Sequence, residues 1–139
     1  MNKKILNVSL IILLCIGLVF LFNFSNRDLE ARNPNELYTT ITDSDAVIML
    51  EEDDSVVLLD VRDPDEHYEQ RIQGSILIPI DEIEKILTMF PDKDTRIIVY
   101  CQRGQRSKEA AQILVLIGYT NVYNLGGIED WKYNVIEGF

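Results

Sequence analysis

Short, mostly apolar runs alternate with helical patterns through most of this chain, and this alternation is its strongest constraint on the fold. The clearest runs are residues 56–59, 96–100 and 122–125, with weaker ones at 38–41 and 76–78. Continuous apolar runs of this length are typical of strands buried on both faces. Helical patterns lie between them, at residues 45–51, 65–69, 81–89 and 107–117. The sequence therefore predicts an α/β fold with a mostly parallel sheet and helices on its faces.

An apolar segment at residues 5–22 precedes this pattern and is interrupted only by Asn7 and Ser9. As a helix it would span roughly 27 Å, close to the hydrocarbon thickness of a bilayer. It is longer than the apolar core of most signal peptides, and no small-residue cleavage site follows it. We therefore predict an amino-terminal transmembrane helix.

The predicted organisation has three parts. Residues 1–24 form a membrane anchor or signal sequence, 25–37 a polar linker, and 38–139 a single domain. Lys3 and Lys4 precede the apolar segment, whereas acidic residues follow it among the basic ones, so the positive-inside bias places the amino terminus in the cytoplasm. The domain is then expected on the extracytoplasmic side of a single-pass membrane protein. The alternative is a secreted or periplasmic domain, released by cleavage.

Charge and composition exclude several classes of function. The chain has a formal net charge of −10, and its first 24 residues hold two lysines and no acidic residue, so the remainder carries −12. Such an acidic domain argues against nucleic acid as a partner. Cys15 and Cys101 are the only cysteines and His67 is the only histidine. A disulfide scaffold and a cysteine-rich zinc site are thereby excluded, and we predict no metal site.

Cys101 lies in a segment suited to a reactive thiol. The run RIIVY ends directly in CQRGQRS, residues 101–107, and a helical pattern follows. A helix amino terminus offers unpaired backbone N–H groups, and nearby arginines favour the thiolate further. Gly104 would allow the loop to direct several N–H groups inward. The segment therefore predicts an anion-binding loop with a nucleophilic thiol at its base.

These residues resemble the rhodanese homology domain over about residues 38–135. The resemblance lies in LLDVRDPDEHYEQRIQGSILIP (residues 58–79) and in IVYCQRGQRSKEAAQILVLIGYTNVYNLGGIEDW (residues 98–131), in that order. It implies a three-layer α/β fold with a five-stranded sheet. It also implies a sulfurtransferase that needs no cofactor and moves sulfane sulfur from a small anionic donor, such as thiosulfate, to an acceptor. That acceptor would be a thiol, cyanide or a protein cysteine.

The resemblance assigns roles to the loop residues. Cys101 would be the catalytic residue and would carry the sulfur as a persulfide. The donor would be bound by the residues that follow it: Gln102, Arg103, Gly104, Gln105 and Arg106. Related phosphatases place five residues between cysteine and arginine, but here Arg106 comes one position too early for that pattern, which favours sulfur chemistry. A non-catalytic binding or sensing module of the same fold is the alternative function.

Asp60, Arg62 and His67 lie outside the loop, and we expect them to have structural roles. Asp60 and Arg62 follow a predicted strand and are expected to form a salt bridge at the edge where Cys101 lies. His67 is predicted to be an exposed helix residue, because nothing in the sequence places it near the thiol.

Overall fold

The computed structural model describes residues 37–138. The predicted transmembrane helix and all but the last residue of the predicted linker lie outside the described residues. Within residues 37–138, every helix is too short or too polar to cross a bilayer. The membrane anchor therefore stays a prediction.

Five parallel strands form the main sheet. They are β1 Thr39–Thr40, β2 Val57–Asp60, β4 Ile76–Leu77, β5 Arg96–Cys101 and β6 Asn121–Gly127. Their spatial order is β1-β6-β5-β2-β4. The predicted mostly parallel five-stranded sheet is confirmed. A second sheet pairs β3, Gln70–Ile72, with β7, Val135–Glu137, in antiparallel orientation. This small sheet was not predicted from the sequence.

Within residues 37–138, four α-helices connect or cover the strands. They are α1 Asp43–Glu52, α2 Pro64–Glu69, α3 Ile86–Met89 and α4 Gln105–Leu116. The predicted helix at 81–89 is a 3-10 turn at Ile80–Lys85 that continues into α3. A further 3-10 turn, Ile128–Asp130, follows β6.

A capping box determines where α2 begins, and a glycine turn determines where α4 ends. Asp63 and Glu66 form a capping box at the start of α2. Gly118 ends α4 with a φ of 106°, and its N–H donates to the Val115 carbonyl. The Tyr119 N–H donates to Leu114, which completes a Schellman motif.

Apolar side chains cover both faces of the sheet. On β5, Ile97, Val99 and Cys101 belong to the core that includes α3 and α4. Ile98 and Tyr100 point the other way, into the core that includes Ala46 of α1. This alternation confirms a three-layer arrangement and places Cys101 on the α4 side.

The strand register brings three strand ends together. Asp60 of β2 pairs with Tyr100 of β5, and Cys101 pairs with Gly127 of β6. In open α/β sheets this carboxyl edge is where ligands bind.

Candidate active site

Cys101 is the last residue of β5, and its side chain lies beneath the loop that leads to α4. The residue is only 1% exposed. The Gly104 N–H donates a hydrogen bond to Cys101 Sγ at 3.1 Å. Gly104 caps α4 with φ 90°, a left-handed conformation that glycine adopts at little cost. The conformation of Gly104 thus directs a backbone donor at the sulfur, in agreement with the predicted inward-facing loop.

The loop rests directly on the end of β6. A Cβ at Gly127 would lie 2.6 Å from the Gln102 carbonyl oxygen and 2.8 Å from Arg103 Cα. This close approach requires glycine. Buried Ser107 adds a polar link, because its Oγ lies 3.0 Å from the Gly104 carbonyl oxygen and 3.1 Å from that of Gly126. The sequence analysis assigned no role to Ser107.

Arg106 is held by a carboxylate from α2. Its Nη1 and Nη2 each donate to one Glu66 oxygen at 2.7 Å, in a two-pronged ion pair. The two side chains are 30% and 29% exposed. Hydrogen bonding to Glu66 raises the pKa of Arg106, and the nearby Cys101 sulfur adds to the upward shift. The same pairing lowers the pKa of Glu66.

Arg103 lies at the rim and is also paired. Its side chain is 80% exposed, and its Nε donates to the two Glu129 carboxylate oxygens at 3.1 and 3.3 Å. Gln102 Nε2 donates to Glu129 as well, at 3.1 Å. The hydrogen bond from Gln102, followed by that from Arg103, lowers the pKa of Glu129.

A buried ionic cluster supports the loop from below. Asp60 accepts hydrogen bonds from Arg62 Nε and Nη2, and its Oδ2 lies 2.9 Å from His67 Nδ1. Arg62 Nη1 donates to Gln102 Oε1 at 2.9 Å and therefore connects the cluster to the loop. Burial would lower the pKa of Arg62, but the hydrogen bonds and charge of Asp60 outweigh it, and the net shift is upward. The predicted Asp60–Arg62 salt bridge is present.

The prediction that His67 is exposed was wrong. His67 is buried at 7% exposure, and its ring contacts Asp60 rather than solvent. Helix α2 begins four residues after β2 ends, so one face of this short helix lies over the buried carboxylate. The residue contributes to the support of the loop, and the structure places no hydrogen bond between it and Cys101.

An open cavity of about 420 Å³ lies beside the thiol. Its lining consists of Glu66, Cys101, Gln102, Arg103, Gln105 and Arg106. The structure thus brings five of the six predicted site residues to one cavity, and Gly104 contributes its N–H to Sγ. Glu66 is the lining residue that the sequence analysis missed. Residues 37–138 contain no group of His, Cys, Asp and Glu side chains suited to hold a metal ion.

The match to a protein-family model decides the family. The model of the Rhodanese-like domain matches residues 42–134. The chain belongs to the rhodanese-like family. The resemblance seen in the sequence is therefore confirmed.

Curated relatives and solved structures agree with this membership. Thiosulfate sulfurtransferase PspE of Escherichia coli is 41% identical over 81 residues, covering 58% of this chain and 78% of PspE. Thiosulfate sulfurtransferase GlpE of Coxiella burnetii is 36% identical over 78 residues, covering 55% of this chain and 72% of GlpE. A solved E. coli rhodanese with anions has 39% identity and a TM-score of 0.56, covering 60% of this chain and 99% of that one. At the level of the family, the prediction of a thiosulfate sulfurtransferase-like enzyme is confirmed.

Proposed function

We propose that this protein is a sulfurtransferase in which Cys101 carries sulfane sulfur as a persulfide. The observation that carries the proposal is the position of Cys101 Sγ, 3.1 Å from the Gly104 N–H at the start of α4. Unpaired N–H groups and the positive end of the helix dipole stabilise a thiolate there. The names of the relatives, which are thiosulfate sulfurtransferases, support the same reaction class.

The reaction proceeds in two halves, each a displacement at sulfur. The Cys101 thiolate attacks the outer sulfur of thiosulfate, the S–S bond of the donor breaks, and sulfite leaves with the electron pair. An acceptor nucleophile then attacks the outer sulfur of the persulfide and restores the Cys101 thiolate. Cyanide gives thiocyanate in this step, and a small thiol or a protein cysteine gives a new persulfide.

The loop stabilises charge in both halves. The persulfide anion lies where the first-turn N–H groups of α4 point, and these groups have no acceptor within the helix. The cavity around it is lined by Gln102, Arg103, Gln105 and Arg106. We propose that these residues contact the donor. These backbone donors are fixed before the reaction begins, so little reorganisation is needed when charge moves.

The test is an intact mass of the full-length protein with Cys15→Ser, which leaves Cys101 as the only thiol. The reduced, detergent-solubilised protein is treated with thiosulfate and measured before and after cyanide. We expect a gain of about 32 Da, one sulfur atom, that cyanide removes. If thiosulfate, mercaptopyruvate and polysulfide all fail to add sulfur, the enzyme proposal is refuted in favour of the binding-module alternative.

We also propose that residues 5–22 anchor the protein in a membrane, with the domain on the extracytoplasmic side. The length of the apolar segment and the two lysines before it support this orientation. Intact mass of the membrane-extracted protein distinguishes an anchor from a cleaved signal. Protease treatment of intact cells or spheroplasts reports the side of the membrane, because an outward-facing domain is digested without lysis.

A further inference from the structure

Both arginines of the cysteine loop are already paired with carboxylates. Glu66 binds Arg106 through two hydrogen bonds of 2.7 Å. Glu129 binds the Arg103 Nε at 3.1 Å. Asp63 adds a third carboxylate, because its Oδ2 lies 3.5 Å from Arg106 Nη1. The two arginines are therefore matched by three carboxylates, and these five side chains have a formal charge of −1.

Side chains without net positive charge give a dianion little attraction beyond that of the backbone N–H groups. Thiosulfate carries two negative charges, so each carboxylate near the cavity opposes its entry, and each arginine favours it, in proportion to that charge. The domain as a whole is acidic, with −12 from residue 25 onward, and supplies no long-range attraction. A donor with one negative charge meets about half of this opposition while it still uses the N–H groups of the loop.

We infer that Glu66 and Glu129 determine donor specificity, and that the preferred donor is a monoanionic sulfane-sulfur compound, such as an organic thiosulfonate, rather than dianionic thiosulfate. The inference rests on the proposed sulfurtransferase function. Both glutamates act through charge on the donor and are specificity-determining residues, whereas the nucleophile and the backbone donors serve any sulfane compound.

The chemistry is the same for both kinds of donor. With a thiosulfonate, RSO₂–S⁻, the Cys101 thiolate attacks the terminal sulfur, the S–S bond breaks, and the sulfinate RSO₂⁻ leaves with the electron pair. Two negative charges are present before and after the step, and no oxidant or reductant is consumed. Thiosulfate differs from methanethiosulfonate by one anionic oxygen in place of a methyl group, so the two form a matched pair.

The experiment measures the rate of persulfide formation with each donor under single-turnover conditions at low salt. The protein is the full-length chain with Cys15→Ser, and the variant is Glu129→Gln. Glutamine keeps an oxygen that can accept hydrogen bonds from Gln102 and Arg103 but removes the charge. The control is Glu52→Gln, which removes the same charge from an exposed position at the end of α1, toward the opposite edge of the sheet.

We expect Glu129→Gln to raise the loading rate with thiosulfate about three- to tenfold, and the rate with methanethiosulfonate by about the square root of that factor. Any change in the reactivity of the thiol is common to both donors and cancels in the ratio of the two rates. The gain declines as ionic strength rises, because Glu129 is near the surface. In the control, the ratio stays within about 1.5-fold of the starting protein.

Two results would overturn the inference. One is an unchanged thiosulfate to methanethiosulfonate ratio in Glu129→Gln. The other is an equal change of ratio in Glu52→Gln, which would assign the effect to total charge. Glu66→Gln is a second test. It removes the charge that is paired with Arg106, the deeper of the two arginines, so we expect it to change the thiosulfate to methanethiosulfonate ratio more than Glu129→Gln does. Failure of the proposed function looks different, because neither donor would then add sulfur to any of these proteins.

Discussion

Gly127 faces the back of the cysteine loop at a distance that leaves no room for a methyl group. Its φ of −106° is one that any residue adopts, so Gly127→Ala introduces a clash without backbone strain. A new Cβ would lie 2.6 Å from the Gln102 carbonyl oxygen and 2.8 Å from Arg103 Cα, so to reach an ordinary contact of 3.4 Å the loop must move by about 0.6 to 0.8 Å. Overpacking of this kind typically costs about 1–3 kcal/mol of stability.

The displaced loop no longer aligns the Gly104 N–H with the sulfur. A misplacement approaching 1 Å costs on the order of 100-fold in rate where reaction depends on positioning. We therefore expect Gly127→Ala to form the Cys101 persulfide about 10- to 100-fold more slowly than wild type. The assay is single-turnover loading with thiosulfate, followed by intact mass, together with a denaturant titration for stability.

Gly126→Ala is the matched control. Gly126 has φ 96°, and its Cβ would have no neighbour within 4 Å. Alanine there costs about 1–2 kcal/mol through its left-handed backbone but leaves the loop in place. We expect stability losses of similar size in the two variants and slow loading only in Gly127→Ala. Loading within twofold of wild type in Gly127→Ala, or equal slowing in both variants, would refute the steric argument.

Three further predictions concern the thiol and its charged neighbours. Cys101→Ser abolishes sulfur transfer in the thiocyanate assay while the unfolding midpoint stays within a few degrees of wild type; retained transfer would exclude Cys101 as the carrier. Asp60→Asn leaves buried Arg62 without its counter-ion and costs about 3–5 kcal/mol, which denaturant unfolding measures, and a loss below 1 kcal/mol would contradict this role. Because Arg106 lowers the pKa of Glu66 in the folded state, the pair stabilises the domain above the ordinary Glu pKa of 4.5, and this contribution is lost as pH falls through the lowered value. Glu66→Gln therefore flattens the acid limb of the stability curve, and an unchanged limb would count against the pair.

The main sheet was predictable because the apolar pattern of a strand lies within a few consecutive residues. The run at 96–100 is apolar from Ile97 to Tyr100, and the structure extends the run by one residue, to give β5 Arg96–Cys101. The Gly104 turn was equally readable, since a glycine between a strand and a helix marks a change of direction. The small sheet was not predictable, because β3 and β7 have three residues each and lie far apart in the sequence. Strands this short have no periodicity of their own.

The charges around the thiol were also hidden from the sequence. Glu66 lies 40 positions before Arg106, and no spacing rule connects a residue of α2 with the first turn of α4. The burial of His67 has the same origin, because only the packing of α2 over Asp60 turns its ring inward. Local pattern thus predicted that Cys101 lies in a loop between a strand and a helix, whereas contacts between segments determine which of the loop charges are compensated.

The hydrogen bond to the Cys101 sulfur comes from the backbone, whereas the charge around the sulfur comes from side chains. The hydrogen bond to Cys101 Sγ comes from the Gly104 backbone, and the helix dipole comes from the peptide groups of α4, so a side-chain exchange that does not move the loop backbone leaves both in place. The charge at the cavity depends instead on Glu66 and Glu129 and on the arginines that they bind. If Cys101 carries the sulfur as proposed, exchanges at Glu66 and Glu129 change the preferred donor and leave the sulfur carrier unchanged.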